Sequence, residues 1–179
     1  MLASCAALPQ GARLAQAGDR SVDVRAAYGV PIVAKSVFWD GNGDVDDVSL
    51  KARHLWHTSD HFAVGAGLAL NTYLPTGADV FGLEAEAVSR SYLFRSERFG
   101  VFSELTGGYM QSTGRVPAGG TEWNFTFSFG AGVEIPVERD TGLQMGINYH
   151  HVSNALGRMN DRNPSQNEAQ FWFGFEYRL

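Results

Sequence analysis

The sequence predicts an all-β protein, an eight-stranded antiparallel up-and-down transmembrane β-barrel, on three observations. From Arg20 onward apolar and polar residues alternate with period two, and the alternation stops and restarts eight times, as strands with two unlike faces do. The intervening segments switch between longer stretches rich in Gly, Asn, Asp and Pro and tight polar turns, the loop rhythm of a meander. One face collects charges of both signs while the other holds most of the Phe, Leu and Val, so a barrel with its charges inside and its apolar residues outside suits a bilayer.

The strands are expected at 20–31, 46–58, 61–75, 79–96, 99–113, 121–138, 142–156 and 167–179. Asp23 and Arg25 mark the polar face of the first, and Asp47, Lys51 and Arg53 that of the second. The third lacks such charges and is interleaved with glycine. Glu84, Glu86 and Arg90 mark the fourth and Glu104 the fifth. The sixth is the clearest: Trp123, Phe125, Phe127, Phe129, Ala131, Val133, Ile135 and Val137 alternate with Asn124, Thr126, Ser128, Gly130, Gly132 and Glu134. In the eighth, Phe171, Phe173, Phe175, Tyr177 and Leu179 oppose Gln170, Trp172, Gly174, Glu176 and Arg178. Segments 32–45, 76–78, 114–120 and 157–166 are the longer loops, and 58–60, 97–98 and 139–141 the tight turns.

Composition narrows the function classes. The 179 residues are one domain's worth of chain, with 21 Gly and only 18% charged residues, unlike a disordered tail, a coiled coil or a helical repeat. One cysteine excludes an intrachain disulfide framework. A net charge of -5 removes the basis for a basic nucleic-acid face. No apolar run approaches the roughly 20 residues of a spanning helix, whereas eight tilted strands of about 9–11 residues fit the length. Residues 1–18 read as the remainder of a signal peptide or a disordered N-terminus, with the barrel at 19–179. Cys5 in Leu2-Ala3-Ser4-Cys5 resembles a lipoprotein box without the apolar stretch that should precede it. A soluble lipocalin-like barrel with the faces reversed is the alternative fold.

Strand seven carries the residues that the fold does not explain. Leu143, Met145, Ile147, Tyr149, His151 and Ser153 share the lipid-facing row, and Gln144, Gly146, Asn148, His150 and Val152 face inward. Polar residues have no structural use in the outer row. Two positions apart on one face, His151 and Ser153 have Cα atoms about 6.6–6.8 Å apart, so an imidazole leaning along the strand reaches the hydroxyl. With the N-terminus and the short turns on the periplasmic side, this strand ends at the cell surface, where a polar residue costs about 0–1 kcal/mol.

The stretch His151-Val152-Ser153-Asn154-Ala155, followed by Asn163-Pro164 and a closing aromatic strand, resembles the PagL-type lipid A 3-O-deacylases of Gram-negative outer membranes. The similarity is concentrated in residues 143–179. The resemblance implies a cofactor-free serine esterase acting on lipid A or lipopolysaccharide, among outer-membrane lipids, with its site toward the outer leaflet. Homodimerisation is left open. It makes Ser153 the nucleophile and His151 its general base, and calls for a third group on the other imidazole nitrogen.

The family has an acidic residue at the start of the last strand, where this chain reads Asn163-Pro164-Ser165-Gln166-Asn167-Glu168. An ungapped count from Asn163 selects Asn167, and parity turns Asn167 outward and Glu168 inward; a one-residue bulge would exchange them. Glu168 is preferred because a carboxylate both orients and stabilises, while Asn167 would only orient, and Asp161 is a third candidate. The resemblance also points to the amides from Asn154 onward and the Asn163 side chain as oxyanion donors. Arg158 and Arg162 are candidate phosphate contacts.

Other signals carry less. Asp40-Gly41-Asn42-Gly43-Asp44-Val45-Asp46 starts like a calcium loop but has Lys51 where a bidentate Glu is required. His57 and His61 flank a turn without further ligands, and His150 faces the interior. No metal site is expected. The alternative function is a non-catalytic structural or adhesion barrel in which His151 and Ser153 belong to an interfacial belt.

Overall fold

The structure, a computed structural model, describes residues 10–32, 43–75, 77–155 and 164–179. Eight strands run in sequence order around a closed barrel: β1 (Arg20–Pro31), β2 (Asp46–Ser59), β3 (Phe62–Leu74), β4 (Val80–Arg95), β5 (Gly100–Val116), β6 (Thr121–Pro136), β7 (Thr141–Ser153) and β8 (Gln166–Arg178). Every neighbouring pair is antiparallel, and β1 pairs with β8 from Ser21↔Arg178 to Pro31↔Glu168. Closure leaves no sheet edge, as lipid requires of a strand-built span. The expected strands all form. β5 runs on to Val116 rather than 113, its register with β6 shifting between Gln111 and Val116, and β7 stops at Ser153 rather than 156.

The faces are inverted relative to a soluble barrel. Leu68 is 56% and Phe173 61% exposed, whereas Arg90 and Glu176 are at 0%. The buried charges survive because they pair. Glu104 accepts from Arg25 Nη1 at 2.9 Å, Arg53 Nη1 at 2.7 Å and Arg90 Nε at 3.1 Å. Asp23 accepts from the same three guanidinium groups, and Arg90 also reaches Glu176. Above this network the Arg25 guanidinium lies 3.7 Å from the centre of the Trp172 ring, which stacks on Phe102. Glycine makes room for the indole: a Cβ on Gly146 would lie 2.4 Å from Trp172 Cζ2, and one on Gly132 2.6 Å from Cη2. The void bounded by Arg25, Arg53, Thr106, Asn148 and Trp172 measures about 10 Å3, at the lower limit for one water. Toward the outer end, Val45, Tyr73, Met110, Val116 and Val152 form a small apolar cap.

The described chain packs from well before Asp19, where the fold was expected to begin. Leu14 and Ala15 are buried at the end of the barrel that carries the short turns. The Gly18 amide donates to the His57 carbonyl at 2.8 Å and the Ala17 amide to Asp60 Oδ1 at 2.8 Å. Arg13 donates to Asp19 at 2.6 Å and thereby holds that carboxyl below its usual range.

Candidate active site

The site lies on the outer wall of the barrel, at the C-terminal end of β7 and the start of β8. The β7–β8 register is unbroken from Thr141↔Tyr177 to Val152↔Gln166, so His151 stands opposite Asn167 and His150 opposite Glu168. Alternation sends the first pair outward and the second into the lumen. On the other flank Phe127 and Phe125 of β6 face His151 and Ser153.

His151 Nε2 is 3.0 Å from Ser153 Oγ, and His151 Nδ1 is 2.6 Å from Asn167 Oδ1. An amide oxygen only accepts, so Nδ1 carries the hydrogen and Nε2 presents its lone pair to the Ser153 hydroxyl. This is the tautomer a general base requires. Tyr149 Oη donates to the same Asn167 oxygen at 2.7 Å. Although all three belong to the lipid-facing row, Ser153 is 7%, His151 5% and Asn167 0% exposed. The start of β8 is also tied to the segments that follow β1 and precede β2: the Ile32 amide donates to the Asn167 carbonyl at 2.7 Å, the Gly43 amide to the Ser165 carbonyl at 3.0 Å, and Gln166 Nε2 to the Val45 carbonyl at 2.6 Å.

The structure places Asn167, and not the preferred Glu168, beside His151. Glu168 points into the lumen, 3.0 Å from His150 Nδ1 and bonded to Gln166. The bulge that would have turned it outward is replaced by a regular ladder. Gly29 leaves the space this interior group needs, since a Cβ there would lie 1.8 Å from Asp47 Oδ1 and 3.1 Å from Glu168 Oε2. Asn154 is buried next to the site. Ala155 has φ 59, a left-handed conformation that costs a non-glycine residue about 1–2 kcal/mol. Asn163, Asp161, Arg158 and Arg162 lie outside the described residues, as does the start of the calcium-like loop. Sequence reasoning placed Tyr149 in the apolar row and missed its contact with Asn167. Among the described residues no group of three or more His, Cys, Asp or Glu side chains is placed to hold a metal ion.

The sequence profile of the lipid A 3-O-deacylase (PagL) family matches residues 45–176, well over half of the chain. The chain belongs to the PagL family. Its fold agrees with a solved structure of the outer membrane enzyme PagL, at TM-score 0.63 and 17% identity over 85% of this chain and 97% of that one. The same architecture is found in OprG of Pseudomonas aeruginosa, at TM-score 0.55 and 13% identity over 92% and 97% of the two chains. Neisserial surface protein A matches at TM-score 0.58 and 11% identity over 89% and 97%. No curated protein sequence matches. This PagL-family chain is thus an outer-membrane β-barrel from a family of lipid A deacylases.

Proposed function

We propose that the protein is a serine esterase that removes the ester-linked acyl chain at position 3 of lipid A, from a site facing the outer leaflet. The observation that carries the reading is the hydrogen bond between His151 and Ser153 in a row that is otherwise apolar. Family membership supports the substrate class.

In this mechanism Ser153 Oγ attacks the ester carbonyl carbon while its proton passes to His151 Nε2. The tetrahedral intermediate collapses, the ester C–O bond breaks, and the imidazolium returns the proton to the sugar oxygen. Water, deprotonated by His151, then releases the fatty acid from Ser153. Asn167 holds the imidazole in the working tautomer without adding negative charge. The backbone amides that follow Ser153, starting at Asn154, are the candidate oxyanion donors, next to Ala155 in its left-handed conformation. The acyl chain has an apolar wall to lie on: Phe125, Phe129 and Tyr109 are exposed beside the site, and the space above Gly107, opposite Phe127, is open.

The test is mass spectrometry of lipid A from outer membranes carrying wild-type, Ser153→Ala or His151→Ala protein. Wild type should remove one hydroxyacyl chain, and each variant should lose at least about 10^3-fold in rate while remaining folded. Unchanged lipid A from inserted wild-type protein, repeated with detergent-solubilised protein and purified lipid A, would return the barrel to the structural class.

A further inference from the structure

We propose that Tyr149 is a positioning residue for this chemistry, holding the Asn167 side chain with its oxygen toward His151; the inference rests on the esterase reading. A carboxylate beside an imidazole accepts through either oxygen and needs no such control. An amide has one accepting end and one donating end. If Asn167 turned its Nδ2 toward His151, Nδ1 would become the acceptor and the ring hydrogen would move to Nε2. His151 would then present a ring hydrogen to Ser153 in place of the lone pair that takes its proton.

Tyr149 opposes that turn. Its phenol donates to Asn167 Oδ1 at 2.7 Å, on the oxygen that His151 Nδ1 meets at 2.6 Å. A phenol donates better than it accepts, because its lone pair is drawn into the ring, so exchanging oxygen for nitrogen at this point loses more than it gains. The reach is built into the sheet. Tyr149 pairs with Ala169, and the small side chain lets the phenol pass diagonally to Asn167, two residues along β8. On its other side the ring packs against Phe129 at a centroid distance of 5.1 Å, which limits its swing.

The experiment is a double-mutant cycle of Tyr149→Phe and Asn167→Asp, with kcat and KM measured on lipid A in detergent micelles and Ser153→Ala as control. With Asn167 in place, Tyr149→Phe should lower kcat about three- to tenfold, the worth of one hydrogen bond, with KM unchanged. In the Asn167→Asp background, where either oxygen accepts, the same change should cost less than about twofold. Equal losses in both backgrounds would overturn the proposal, since a packing role for the ring does not depend on the side chain at position 167. No loss with Asn167 in place would overturn it as well. The rate at which a long-chain fluorophosphonate labels Ser153 provides the same comparison where turnover is slow. Turnover retained by Ser153→Ala would instead overturn the esterase reading itself, so the two failures are distinct.

Discussion

Asn167 occupies the place beside His151 where a carboxylate would both orient the ring and stabilise its positive charge. The amide supplies only the first, which makes the ring's tautomer the quantity at stake in any substitution there. Asn167→Ala should reduce deacylation by about 10^2-fold or more, as loss of tautomer control does in a Ser-His pair. Glu168→Gln, at the neighbouring position, should keep activity within about threefold, since its contacts are inside the lumen and its loss is one of hydrogen-bond quality. Initial rates of fatty-acid release separate the two. Strand parity already turned Asn167 outward in the sequence, and it was the chemical appeal of a carboxylate that argued for Glu168. The register shows why parity wins: a bulge would have broken two adjacent cross-strand pairs, His150↔Glu168 and His151↔Asn167. The Tyr149 contact was not legible in the same way, because a diagonal reach depends on ring rotamer and on Ala169 being small.

At the level of strands, β6, β7 and β8 converge on one interior side chain. Trp172 of β8 spreads its indole over Gly132 of β6 and Gly146 of β7, where a Cβ would also come 2.3 Å from the Ala131 carbonyl oxygen. Gly146→Val should therefore destabilise the barrel by about 2 kcal/mol or more, the cost of overpacking a filled interior. Urea titration of the folded, heat-modifiable band on a gel reads this directly. The strands themselves were legible because the two faces differ so sharply in β6 and β8. The ends were less so: β5 keeps alternating past its last regular pair with β6, and β7 stops where Ala155 takes φ 59. Neither a register shift nor a left-handed residue leaves a mark in hydrophobic period.

Across the whole barrel the charge inventory announced an inverted protein, and the pairing within it could be known only from the closed structure. Glu104 of β5 meets guanidinium groups from β1, β2 and β4. Glu104→Ala should cost about 3–5 kcal/mol, because three buried cations lose a shared partner. Equilibrium unfolding in detergent measures the loss, and the fraction that remains folded should still label at Ser153, since the site is on the outer wall. On the proposed function, that placement decides how the barrel meets lipid A. A nucleophile on the lipid-facing surface is reached by lateral diffusion within the leaflet, so on the proposed function its saturation is set by the mole fraction of lipid A around the barrel. Turnover becomes a two-dimensional process, in which the released fatty acid enters the same sheet of lipid from which the next substrate arrives.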